Sequence, residues 1–116
     1  MEKFSERGSC TVRTLAKVTG IELVEAFKIA DAAGRRNGCG FRSAKLIAFV
    51  NKHTEFRFID EKPRRMSLKT FCREFPRGRY YVRIREHALP VIDGKIMDGT
   101  RPGSIVKGAW RLHQPS

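Results

Sequence analysis

The chain has 116 residues, 41% of them hydrophobic, and its 24 Lys and Arg against 12 Asp and Glu give a formal charge of +12. That length accommodates one hydrophobic core and excludes two, and the apolar content excludes an intrinsically disordered chain. No run approaches the roughly 20 uncharged apolar residues of a membrane span, and the first residues lack the apolar stretch of a signal peptide. A single domain over residues 1–116 is therefore expected, in a cytoplasm and without a membrane partner, with a positive field that draws polyanions and acidic protein surfaces.

The order of elements is helices first and strands second, which predicts an α+β fold. Ser9 is placed to cap a helix over residues 10–19, with Val12, Leu15, Ala16 and Val18 apolar and Gly20 as its left-handed terminator. A second helix fits residues 22–33, where Leu23, Ala26, Phe27 and Ala30 recur at helical spacing before Gly34. The glycine- and arginine-rich loop 34–40 is expected to be exposed and mobile. Ser43 is placed to cap a third helix reaching Lys52, and residues 55–59 alternate as a half-buried strand does. Ser67 caps a short helix through Phe71, Cys72 and Phe75 that stops at Pro76.

The remainder reads as antiparallel sheet. Strands are predicted over residues 79–85, 87–92, 95–98 and 104–112, with a bulge at Gly108 in the last. Asp93-Gly94 is a strong two-residue hairpin signal. Counting outward from that turn pairs Ile92 with Lys95, Val91 with Ile96, Pro90 with Met97 and Leu89 with Asp98. His87 and Leu89 then share a face, and Asp98 becomes the diagonal neighbour of His87.

Cys10, Cys39 and Cys72 are odd in number and lack paired spacing, which argues against a disulfide framework or a four-thiolate zinc site, so no metal or cofactor is expected. Cys10 falls in the first turn of a helix, where unpaired backbone N–H groups and the helix dipole favour a thiolate. A neutral imidazole that accepts the thiol proton, and a third group that orients the ring, complete a nucleophilic site. His87 with Asp98 supplies both. Asp93 is accounted for by its turn, and His53 and His113 fall in exposed contexts.

The runs Gly8-Ser9-Cys10-Thr11-Val12-Arg13-Thr14-Leu15-Ala16 and His87-Ala88-Leu89-Pro90-Val91-Ile92-Asp93-Gly94-Lys95-Ile96-Met97-Asp98, with Gly108-Ala109-Trp110, resemble papain-like cysteine peptidases. The similarity is closest to small bacteriophage proteins of that type and more distant to the bacteriocin-leader peptidases. The resemblance implies N-terminal helices packed on a C-terminal antiparallel sheet, a catalytic triad of Cys10, His87 and Asp98, and a protein or peptide substrate, with acidic sequences favoured by charge. Such peptidases usually carry a Gln-type oxyanion donor shortly before the cysteine, yet residues 1–9 contain neither Gln nor Asn. The backbone N–H of Cys10 would supply one donor, with Ser9 or Ser5 as side-chain substitutes. Losing one such donor costs about 2.7 to 4 kcal/mol of transition-state stabilisation.

Two functions from different classes follow. One is a phage-encoded cysteine peptidase or isopeptidase acting in a host cytoplasm. The other is a papain-fold binding protein of little or no turnover that engages a host protein or nucleic acid through its basic surface. Candidate anion contacts for the second are Arg35 and Arg36, Arg64 and Arg65, and Arg83 and Arg85 within a series that also holds Arg77 and Arg79.

Overall fold

The computed structural model describes residues 9–34 and 42–113. The first helix, α1, covers Ser9–Thr19, and Val12, Leu15 and Val18 on its inner face are fully buried. Gly20 ends it in the left-handed region with φ +84°, its N–H bonded to the Ala16 carbonyl at 2.8 Å, the termination that a residue without a Cβ accepts most readily. Helix α2, Leu23–Ala32, buries Ala26 and Ala30. Helix α3, Ser43–His53, buries Leu46, Ile47 and Val50.

Strands β1, Phe58–Asp60, β2, Arg79–Ile84, β3, His87–Ile92, β4, Lys95–Ile96, and β5, Gly108–Leu112, form one sheet in the order β1-β5-β2-β3-β4 with antiparallel neighbours throughout. Between β1 and β2 lies α4, Leu68–Glu74, whose N-cap Ser67 accepts from the Thr70 N–H. Side chains alternate across the sheet. Phe58, Tyr81, Ala88 and Leu112 join the core under α1, α2 and α3. Tyr80, Val82, Ile84, Leu89, Val91 and Ala109 form a second core with Phe71 and Leu68 of α4. The architecture is α+β, with three helices on one face of the sheet and one on the other.

Several local expectations are corrected. Ser43 is the first residue of α3 and not its cap. Its hydroxyl is buried and bonded to the Tyr81 hydroxyl at 3.0 Å, so a tertiary partner wins over the local one. Gly108 begins β5, opposite Arg83, without a bulge. Its hydrogen atoms leave room for the Trp110 indole, which a Cβ would meet at 3.2 Å. Residues 104–107 do not extend the strand, and Ile105 instead makes an isolated bridge to Ser67. Strand β1 starts at Phe58, because the Asn51 side chain holds the Phe58 backbone through both its N–H and its carbonyl. The predicted loop 34–40 lies, beyond Gly34, outside the described residues. No helix among the described residues is long and apolar enough to cross a membrane.

Candidate active site

Cys10 is the second residue of α1 and a free thiol, half-buried against the core of the first sheet face. Helical spacing aligns Cys10, Arg13, Lys17 and Gly20 along one side of α1. That side borders a cavity of about 770 Å³ whose opposite wall is made by His87, Ala88 and Pro90 of β3 with Met97 and Asp98 beyond β4. Ile21 and Leu23, at the junction of α1 and α2, and Arg79 also line it. The two chain regions predicted to meet therefore bound one cavity.

The hairpin forms as counted through Met97, but the return strand β4 is Lys95–Ile96 and Leu89 does not pair with Asp98. Val91 pairs with Ile96 and Ile92 with Lys95, and Asp93 and Gly94 both have positive φ, 51° and 76°, as the two central residues of a type I′ turn require. The ladder continues through one more bond, Met97 N–H to the Pro90 carbonyl at 3.0 Å. The chain then leaves the sheet, and the Asp98 side chain reaches back to His87, with Nε2 to Oδ2 at 3.0 Å. Strict alternation from Ala88 assigns His87 to the face of Leu89 and Val91. It is, however, the first residue of β3, at the rim of the sheet, and there it lines the cavity that Cys10 lines.

Asp98 is held below its ordinary carboxyl range. Burial works to raise it, but hydrogen bonds from the Thr100 side chain and backbone, and from His87, outweigh that effect. An ionised carboxylate only accepts hydrogen bonds, so Nε2 is the donor in this bond, which in the neutral ring leaves Nδ1 as the acceptor. Among the described residues His87 makes its side-chain hydrogen bond to Asp98 and none to Cys10.

Behind the thiol lies a buried polar group. The Tyr81 hydroxyl is bonded to Ser43, and its phenol is pushed far up, first by burial, which the Ser43 and Thr11 hydroxyls oppose and the nearby Cys10 reinforces. Tyr81 stays neutral and serves as a fixed support under the first turn of α1. At the other end of the helix, Arg79 donates from Nε to the Val18 carbonyl at 2.6 Å and from Nη2 to the Lys17 carbonyl at 2.9 Å. These bonds satisfy carbonyls that a helix C-terminus leaves open and fasten α1 to β2.

The other candidates are dispersed. Asp93 accepts from the Gly78 N–H at 2.9 Å, so its carboxylate is taken up by the segment before β2 and not by its own turn. His53 stacks on Phe49 with centroids 4.4 Å apart, and His113 is exposed near the chain's end. Cys72 packs beside the second core, where burial pushes its thiol up, away from reactivity. Arg64 is paired with Glu74, while Arg65, Arg83 and Arg85 are exposed. The arginine series does not make a stripe. Strand β2 is the central strand of five, Arg79 is tied to α1, and Arg85 stands in the turn after the strand. Arg35, Arg36, Cys39, Ser5 and the Ser9 side chain lie outside the described residues.

Arg13, Lys17 and Ile21 were not singled out from sequence, and Arg79 and Met97 were named there only as a candidate anion contact and a hairpin partner. The spacing of three and seven residues from Cys10 is a signal that finds the first two, whereas Arg79 needed the packing of α1 on β2. Comparisons with protein-family models, with curated proteins and with solved structures find no match.

Proposed function

We propose that this protein is a small papain-like cysteine hydrolase, phage-encoded and acting on a peptide or isopeptide bond, with Cys10 as nucleophile, His87 as base and acid, and Asp98 as the group that orients the ring. The observation that carries this reading is one cavity lined by all three residues, with His87 already bonded to Asp98 through Nε2. In that reading the Cys10 proton passes to Nδ1 as sulfur attacks the carbonyl carbon, and the electron pair displaced to oxygen is met by the backbone N–H groups at the start of α1. Collapse of the adduct breaks the carbon–nitrogen bond, and the imidazolium protonates the departing amine, which leaves a thioester. Water then gives a proton to His87 and its hydroxide equivalent to the acyl carbon, releasing acid and restoring the thiol.

The missing hydrogen bond between Cys10 and His87 fits a site that tightens on its substrate, as unliganded catalytic pairs often do. It also fits the second reading, a binding protein without turnover, as does the lack of Gln or Asn in residues 1–9. Acyl transfer from p-nitrophenyl acetate distinguishes the two. The hydrolase shows a burst of p-nitrophenol stoichiometric with protein, lost in Cys10→Ala and slowed about 10²-fold or more in His87→Ala. Asp98→Asn keeps an acceptor for Nε2–H and loses less than Asp98→Ala. A burst of equal size in wild type and Cys10→Ala rejects the hydrolase.

A further inference from the structure

The cavity extends well past the three proposed catalytic residues. Lys17 stands seven residues after Cys10 on the same side of α1, which at about 1.5 Å per residue places it roughly 10 Å from the thiol along the helix axis. An extended peptide covers that distance in about three residues. Ala16, Pro90, Met97 and Ile21 give the cavity an apolar part beside Arg13 and Thr14 of α1, and Met97 is 41% exposed. Among the described residues that line the cavity, Arg13, Lys17 and Arg79 are cationic and Asp98 is acidic. Lys17 and Arg79 carry the argument. The Arg79 guanidinium bonds two backbone carbonyls and, among the described residues, no carboxylate, so its positive charge stands at this end of the cavity, offset only in part by the C-terminal dipole of α1, and Lys17 is exposed.

We infer that the cavity is the seat of an extended peptide bearing an aliphatic side chain against Pro90, Met97 and Ile21 and an acidic side chain at Lys17, about three residues from the bond presented to Cys10. This names the substrate class of the hydrolase proposed above and rests on that reading. An anionic segment is favoured because a cation pair at the rim of a low-dielectric groove attracts it and repels a cationic one.

The test uses the full chain with Cys10→Ala and dansyl-labelled, end-blocked alanine hexapeptides holding Leu and, three residues away in either direction, Asp or Lys. Fluorescence anisotropy should show an Asp peptide binding at least about tenfold tighter than its Lys counterpart, with the preference fading near 1 M salt, where screening reaches about 3 Å. Lys17→Glu, at an exposed site and with an unchanged thermal transition, should abolish or invert the preference. Equal binding of Asp and Lys peptides, binding of none, or a preference untouched by Lys17→Glu overturns the inference. Incubating the bound peptides with wild-type protein reads the hydrolase separately, since acid-selective binding without cleavage retains the groove and rejects the chemistry.

Discussion

At the scale of single residues, the site depends on polar groups whose partners are fixed by the fold. Tyr81 is fully buried and its hydroxyl bonds the buried Ser43, so Tyr81→Phe strands that hydroxyl and should cost about 1 to 3 kcal/mol in denaturant unfolding. Asp98 titrates below its ordinary 3.8 in the folded chain, and the folded state therefore takes up this proton less readily than the unfolded one. The resulting stabilisation is present above about pH 4 and disappears as pH falls through the folded value. The gap in melting temperature between wild type and Asp98→Ala should accordingly be open near neutrality and narrow as the pH is taken below 3.8. Counting from Asp93-Gly94 brought Asp98 near His87 in sequence, although the pair forms off the ladder, after the chain leaves the sheet past Met97. The role of Ser43 was hidden, since its partner lies 38 positions away and no local pattern announces it.

At the scale of elements, turn chemistry was the most readable layer. Gly20, Ser67 and Asp93-Gly94 each stop or start an element where their backbone preferences dictate. Gly94 carries a second constraint, because a Cβ there would meet the Cys72 carbonyl at 3.2 Å and Pro76 at 3.4 Å. Gly94→Ala should therefore destabilise by about 1 to 2 kcal/mol from the left-handed backbone alone, and by more once the contact with the end of α4 is added. The limits of β1 and β5 were less readable. Asn51 holds Phe58, and Ile105 bridges to Ser67, both long-range events that hydrophobic alternation does not encode. Arg79 likewise reads as a surface charge in sequence and acts as the clip between β2 and α1. Removing it in Arg79→Ala should lower stability by about 1 to 3 kcal/mol and loosen the helix that presents Cys10.

At the scale of the whole molecule, two cores share one sheet, with adjacent residues such as Tyr80 and Tyr81 on opposite sides. Neither face is complete without β2 and β3, so Leu15→Ala on one face and Phe71→Ala on the other should each lower a single thermal transition, by about 3 to 5 kcal/mol for Phe71. The same sheet brings the first helix and the late hairpin together around the cavity, which residue order alone suggested only through the sequence of Cys, His and Asp. What the charge of +12 does is narrower than its size suggests, since Arg64 and Arg79 are engaged within the fold and Lys17 lines the cavity. The central claim is that His87 acts on Cys10. Iodoacetamide alkylation near neutral pH, followed residue by residue by mass spectrometry, should modify Cys10 about tenfold or more faster than Cys72 in wild type and lose that advantage in His87→Ala. Equal rates in wild type, or an advantage that survives His87→Ala, would contradict it.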